Sequence, residues 1–389
     1  MAEQNSESQP EKKQNSKNQL EKKQPEKKTA LHVEQEINAT LLALSSKLDF
    51  ILPPGVSALV PGLLLTCCIS AIAIYTGAHL RYVTPLIVAM GIGVLFRNAF
   101  ILPSAYNPGI IFSMRRVLRF AVALLGVRIT FEQIQSLGLE GAAIALVPLV
   151  LTYVLTVVIG KLMKADESQS MLIATGTSIC GASAIMTAGA VTRATSDNVM
   201  VAVSSITVFG TFSMLVYPVL YKSGLLDLTA TQYGYWAGAS VHEVAQAVAA
   251  AFGIGGPDGE LSGNVGTIIK LTRVAALVPF AFFISYMATR GFVKSEGSAA
   301  PGEVKLPLFL FGFLAMVLLN SYNFFTPHAV KWIETTSAFL LTVSMAAMGL
   351  ETDFGKLVKI GFRPFFLSVI STGFIAAFSL FMVKMLIKP

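Results

Sequence analysis

Apolar residues occupy this chain in long unbroken runs, not in the alternating or one-faced patterns of a water-soluble domain. Runs of about 20 apolar residues let an α-helix cross the hydrocarbon of a bilayer with every backbone group bonded internally. Eleven such segments are legible: 55–76, 83–101, 112–130, 141–162, 169–191, 198–221, 230–252, 264–288, 306–323, 330–350 and 363–386. Ahead of them, Ile37, Leu41, Leu44, Leu48 and Ile51 fall at helical spacing among polar residues. That pattern fits an amphipathic helix lying on a membrane surface, or a linker helix. Residues 1–30 show no periodicity; Glu-Lys-Lys-Gln stands at 11–14 and again at 21–24. Such a stretch has too little apolar surface to offset its chain entropy, so disorder is expected. It also lacks the apolar core of a signal peptide. The expected organisation is a polar tail with an interfacial helix over 1–50 and a transmembrane domain over 51–389.

Composition agrees with the pattern: 54% of the residues are hydrophobic and 13% are charged, where soluble domains carry about 25% charged residues. Residues 1–50 hold 8 lysines and 8 acidic residues, so the net charge of +7 belongs to 51–389, where 29 − 8 = 21 cations face 22 − 8 = 14 anions. Thinly spread between apolar runs, these cations point to a bilayer and away from nucleic acid. Sorted over the loops of eleven crossings, one side collects Arg97, Arg115, Arg116, Arg119, Lys161, Lys164, Lys222, Arg290, Lys294, Lys305, Lys356, Lys359 and Arg363. The other side collects Arg81, Arg128, Arg193, Lys331, Lys384 and Lys388. Cytoplasmic loops are enriched in Lys and Arg, so the N-terminus is expected inside. Cys67, Cys68 and Cys180 lie inside apolar runs without metal-ligand spacing, and read as small helix residues.

The chain also resembles itself. Leu-Gly-Val-Arg-Ile-Thr-Phe at 125–131 aligns with Met-Gly-Leu-Glu-Thr-Asp-Phe at 348–354, pairing Gly126 with Gly349 and Gly138 with Gly361 at an offset of 223. Pro85 and Asn98 match Pro307 and Asn320 at an offset of 222. The third span then matches the tenth, seven crossings later, so the copies run in opposite directions. Inverted repeats are an architecture of secondary transporters, whose substrate sites form near the midplane. At this offset the counterpart of the fifth span would fall beyond residue 389.

Two spans carry polar residues where lipid is expected. The fifth contains Gly176, Thr177, Ser178, Cys180, Gly181 and Ser183; the seventh contains Gly238, Ser240, His242, Glu243 and Gln246. Each includes Gly-Ala-Ser, at 181–183 and at 238–240. Small residues suit either close helix packing or an interrupted helix whose free N–H groups face a cavity and bind an anion. Ionisable residues as deep as His242 and Glu243 mark an ion path or proton relay more often than a neutral structural pair. Lys270 and Arg273, three apart, share one helix face. They serve there as counter-charge for an anion, as partners of Glu243, or as headgroup anchors. Arg115, Arg116 and Arg119 read as a cytoplasmic anchor, and Glu334 as an interfacial carboxylate near Lys331. The absence of a Walker loop argues against ATP-driven pumping.

With Gly176-Thr-Ser-Ile-Cys-Gly-Ala-Ser-Ala-Ile185 and Gly238-Ala-Ser-Val-His-Glu-Val-Ala-Gln246 in this order, the chain resembles the YeiH family, a group named for sulfate export. The resemblance covers about residues 55–386. It implies a secondary carrier for a small anion, similar to bile-acid transporters in having inverted repeats and interrupted helices. The combined expectation is an all-α polytopic membrane protein of about 11 transmembrane helices in two inverted repeats, in the cell inner membrane, with its N-terminus in the cytoplasm. It would export or exchange a small inorganic or organic anion such as sulfate, driven by an H+ or Na+ gradient, with no cofactor, metal or nucleic-acid partner. A homo-oligomer is compatible with this reading. Gly176, Ser178, Gly181, Ser183 and Ser240 would face substrate, Lys270 and Arg273 would neutralise it, and His242 and Glu243 would carry the coupling ion. The rivals are a membrane-embedded enzyme using Cys180 or the His242–Glu243 pair, and a passive anion channel.

Overall fold

A computed structural model describes residues 56–79, 84–290, 308–353 and 361–388, together with 38, 40 and 355. The predicted tail lies outside the described residues. So does the interfacial helix, except Asn38 and Thr40, which are helical; the Asn38 side chain accepts a bond from the Ala105 N–H at 3.1 Å.

Among the described residues all regular structure is helical. The helices are α1 (Val60–His79), α2 (Pro85–Ala99), α3 (Asn107–Phe112), α4 (Leu118–Leu124), α5 (Phe131–Ser136), α6 (Gly138–Leu162), α7 (Glu167–Ser178) and α8 (Ala182–Thr192). They continue as α9 (Ser196–Lys222), α10 (Ala230–Ser240), α11 (Val244–Phe252), α12 (Gly256–Ala275), α13 (Leu277–Thr289), α14 (Leu308–Ser321), α15 (Pro327–Glu351) and α16 (Phe362–Leu386). A wide π turn, Ser113–Val117, joins α3 to α4. Six helical stretches are long and apolar enough to cross a membrane: α1, α6, α9, α12 with α13, α15 and α16.

The helices form two bodies. In the first, a scaffold, α2 packs on α15, α14 packs on α4, and α1 lies against α2 and α15. In the second, a core, α6 and α16 pack together and enclose α7 to α13. One end of the molecule carries Arg97, bonded to Asp353, and Arg363, whose Nη1 donates to the Lys164 carbonyl at 2.8 Å. We call it the basic end. At the opposite end Gln232 donates to the Ile387 carbonyl and Lys222 to the Gly253 carbonyl.

Two of the predicted crossings fold back on themselves. Leu172 Cδ2 on α7 lies 3.8 Å from where a Cβ at Gly189 on α8 would stand, and Ile185 on α8 packs over Gly176 on α7. Residues 17 and 9 positions apart lie about 25 Å and 13 Å apart along one helix, so they can touch only in an antiparallel hairpin. Asp166 caps α7, and both Asp166 and Gln169 bond Asn198 at the start of α9, so the hairpin enters and leaves at the basic end. In the second hairpin the Tyr233 hydroxyl on α10 donates to the Ala250 carbonyl on α11 at 2.8 Å, and entry and exit lie at the opposite end. An arm of 12 residues spans about 18 Å, enough to reach the middle of a hydrocarbon layer about 30 Å thick and not its far side. Segments 169–191 and 230–252 are therefore re-entrant, a correction to eleven full crossings. Arg193 joins Lys164 at the basic end and Lys222 moves to the other, so the charge asymmetry keeps its size. Cysteines at Leu172 and Gly189, in a chain freed of Cys67, Cys68 and Cys180, should be joined by a short bifunctional thiol reagent. A crossing helix would hold them about 25 Å apart and give no product.

With the hairpins in place the repeat closes. α2 corresponds to α14, α3–α4 to α15 and α6 to α16, near an offset of 223. The likeness extends to single contacts: Asn98 donates to the Thr352 carbonyl at 3.0 Å and its counterpart Asn320 to the Ile129 carbonyl at 3.5 Å. Gly349 meets the carbonyl of Met90 as Gly126 meets that of Phe313. The first hairpin corresponds to the second, and α9 to α12–α13, at an offset of 62. In the first copy the hairpin follows the two scaffold elements and α6; in the second it precedes α14, α15 and α16. The second copy is circularly permuted, so the fifth segment's counterpart precedes α14 and does not fall beyond the end of α16. Counterparts run in opposite directions, as an inverted repeat requires. α1 stands outside both copies.

Candidate functional site

The hairpin tips meet in the middle of the core. α7 ends at Ser178 and α8 starts at Ala182, separated by Ile179, Cys180 and Gly181; α10 ends at Ser240 and α11 starts at Val244, separated by Val241, His242 and Glu243. Matching break to break pairs Gly176-Thr177-Ser178 with Gly238-Ala239-Ser240. The two identical Gly-Ala-Ser triplets are therefore not structural counterparts, and 181–183 instead corresponds to Glu243, Val244 and Ala245.

Each tip presents the C-terminal carbonyls of its first arm, which carry partial negative charge and have no helical partner. Lys270 and Arg273, both completely buried on α12, satisfy them. The Lys270 ammonium donates to the carbonyls of Ile179 at 3.0 Å, Val241 at 2.8 Å and His242 at 2.5 Å, one from each N–H. The Arg273 guanidinium reaches Gly238 at 3.4 Å and Ala239 through Nη1, and Thr177 at 3.1 Å and Ser178 at 2.5 Å through Nη2. The headgroup reading of these two residues is overturned. Their hydrogen bonds hold the two tips together, and their charge stays at the junction. Neither forms an ion pair with Glu243 among the described residues.

The second arms point their positive N-termini into the same junction. Glu243 is the N-cap of α11, and its carboxylate closes a capping box with Gln246. The same carboxylate accepts the Thr207 hydroxyl at 3.0 Å and the Ala182 N–H at the start of α8. Gly181, at φ +71°, is required twice: L side chains rarely adopt that backbone, and any Cβ there would collide with Cγ of Glu243. His242 bonds Thr372 through Nε2 at 3.1 Å, while its Nδ1 is buried without a partner among the described residues. Thr177 Oγ1, Ser178 Oγ and Arg273 Nε are in the same condition. The Ser240 hydroxyl is occupied by the Trp236 carbonyl, and Gly176 serves packing against Ile185 and Ile206. Ser183 is exposed.

Access differs between the ends. Ser183, Met186 and Ala190 form an exposed stripe on α8, whereas the counterpart Val248 on α11 is buried in the hydrophobic cluster that includes Leu341 of the scaffold. Exposed Arg115 and Arg119 on the scaffold lie within electrostatic reach of Glu243 and Cys180 respectively. Their charge therefore acts on the tips, which a surface-anchor reading does not require. At the opposite end a cavity of about 490 Å³ separates Leu125, Arg128 and Leu341 of the scaffold from Phe252, Gly255 and Glu260 of the core. Arg128 stacks over Phe252 at 5.8 Å and approaches Glu334 to 3.9 Å, so Glu334 has a partner other than Lys331. Sequence reasoning missed Thr207 and Thr372, and it named Gln246 without giving it a place in the site. Thr207 belongs to a polar stripe on α9, with Ser204 and Thr211, that was a legible signal.

Fold and site together define a polytopic helical membrane protein organised around two inverted re-entrant hairpins. Residues 61–368 match the model of the family described as "Conserved hypothetical protein 698". A UPF0324 membrane protein of Bacteroides thetaiotaomicron is 33% identical over 332 residues, 84% of this chain and 98% of that protein. The UPF0324 membrane protein of Haemophilus influenzae is 34% identical over 317 residues, 79% and 92% of the two chains. That of Yersinia pestis is 34% identical over 323 residues, 80% and 88%. The chain belongs to this family, which is the YeiH family its motifs resemble.

Proposed function

We propose that the protein is a secondary carrier for a small anion, sulfate being the first candidate, that uses an H+ or Na+ gradient. The observation that carries this reading is the junction itself. Two helix N-termini and two buried cations converge where inverted halves meet, opposed among the described residues by the carboxylate of Glu243. Such convergence concentrates positive potential in a site of low dielectric and suits an anion. Ser178 and Ser183 would contact the substrate, Lys270 and Arg273 would attract it through space, and Glu243 with His242 would answer the coupling ion. The basic end, with Arg97, Lys164, Arg193 and Arg363, would face the cytoplasm of a cell with the protein in its inner membrane. No enzymatic step is assigned: among the described residues no hydrogen bond joins Cys180 to His242.

Protein reconstituted in liposomes should accumulate labelled sulfate, sulfite or a small carboxylate well above empty liposomes when a pH or sodium gradient is imposed. Rates equal to those of empty liposomes for every anion and both gradients would refute the carrier reading.

A further inference from the structure

The Glu243 carboxylate is anomalous for a deep acidic group. Two cations lie nearby on α12, yet it pairs with neither and is held instead by neutral donors: Thr207, the first N–H of α8 and the capping box of its own helix. It is half-buried, with Lys270 and Arg115 within electrostatic reach, His242 next to it in the chain and the tip residue Gly181 against its Cγ. α8 and α11 are 11 and 9 residues long, so both present a full helix terminus. At the same junction Ser178 Oγ and His242 Nδ1 are buried with unused hydrogen-bonding capacity. The position thus holds a carboxylate already, and it has further polar groups that the carboxylate does not use.

We propose that Glu243 is a tethered occupant of the anion site, its carboxylate filling the place between the two hairpin N-termini that a free small carboxylate or oxyanion takes when the side chain is displaced. The inference rests on the carrier reading for its biological ligand, but the occupancy itself does not. Lodged between Thr207, Ala182 and its own helix, the side chain also latches one hairpin tip to the other, and an entering anion would release that latch. One anion bound per carboxylate displaced follows from the shared donors.

The test uses the full chain with Cys67→Ser and Cys68→Ser, leaving buried Cys180 as the thiol that reports on the tip. Glu243→Ala should raise the rate of Cys180 modification by methyl methanethiosulfonate at least about fivefold, the low end of a site-to-site coupling. Acetate or sulfate, added to this variant, should slow the reaction back toward the parent rate; acetamide, neutral and of acetate's shape, should not. Should Glu243→Ala fail to fold, Glu243→Gln keeps the shape without the charge and should show the same acceleration, and Thr207→Val a smaller one. Unchanged Cys180 reactivity in these variants would overturn the latch. Acceleration that neither acetate nor sulfate reverses would overturn the anion site. Rescue by anions in a protein that moves none of them across liposomes would support this proposal while refuting the carrier reading.

Discussion

Replacing Arg273 by Ala should leave little folded protein. The guanidinium bonds carbonyls of both hairpins while completely buried, and the substitution strands those carbonyls where water does not reach. Hydrogen bonds to a charged donor contribute about 1.5–3 kcal/mol each, and removing one member of a buried charged set costs about 3–5 kcal/mol. That is comparable with the whole stability of many domains. Lys270→Met should behave similarly, since three carbonyls lose their donor. Arg273→Lys keeps the charge but cannot span two carbonyl pairs with one fork, so partial retention is expected. Exposed Lys331→Ala, away from the tips, should change stability by less than about 0.5 kcal/mol. The check is thermal unfolding and monodispersity of purified protein in detergent. An Arg273→Ala protein that unfolds at the temperature of the parent would show that the tips do not depend on the cation.

Gly126→Val and Gly349→Val should each disrupt the scaffold, and to a similar degree. At Gly349 a Cβ would strike the Met90 carbonyl and lie 2.9 Å from the Cα of Gly93; at Gly126 it would strike the Phe313 carbonyl and lie 2.9 Å from the Cβ of Met316. These obstacles are mostly main chain, which cannot rotate aside, so the helices must separate and give up the close packing that small residues allow between membrane helices. Overpacking costs about 1–3 kcal/mol, and the upper end is expected where the obstacle is main chain. Gly373, where a Cβ meets open space, is the control and should accept Ala without loss. Loss of folded protein on size exclusion for one of Gly126→Val and Gly349→Val, with the other unaffected, would contradict their equivalence in the two copies.

Much of the fold was legible because bilayer physics leaves few choices. The segment bounds, the interrupted fifth and seventh segments and the inverted relation of Gly126 to Gly349 follow from apolar length, small polar insertions and residue spacing. The pairing of the two interruptions was not legible. The Gly-Ala-Ser triplets at 181–183 and 238–240 are identical in sequence and left their relation open, while the backbone breaks align 176–178 with 238–240. Nor can a collinear alignment recover a permuted copy, since it requires the same order of elements in both. The site was legible as a set of residues, because charge in an apolar run is costly wherever it stands, but the roles within it were not.

From the sequence alone come the membrane as solvent, the helical class, the basic asymmetry and the short list of deep polar residues, all of which depend on composition and local spacing. Only the tertiary structure decided that two segments turn back at mid-depth, because a run of 23 apolar residues is equally satisfied by crossing once or by reaching the middle twice. It likewise decided that Lys270 and Arg273 cap carbonyls and that Glu243 lies between two helix N-termini. Hydrogen bonds form between atoms brought within about 3 Å, and residues 91 positions apart, as Ile179 and Lys270 are, meet only through the packing of the whole core.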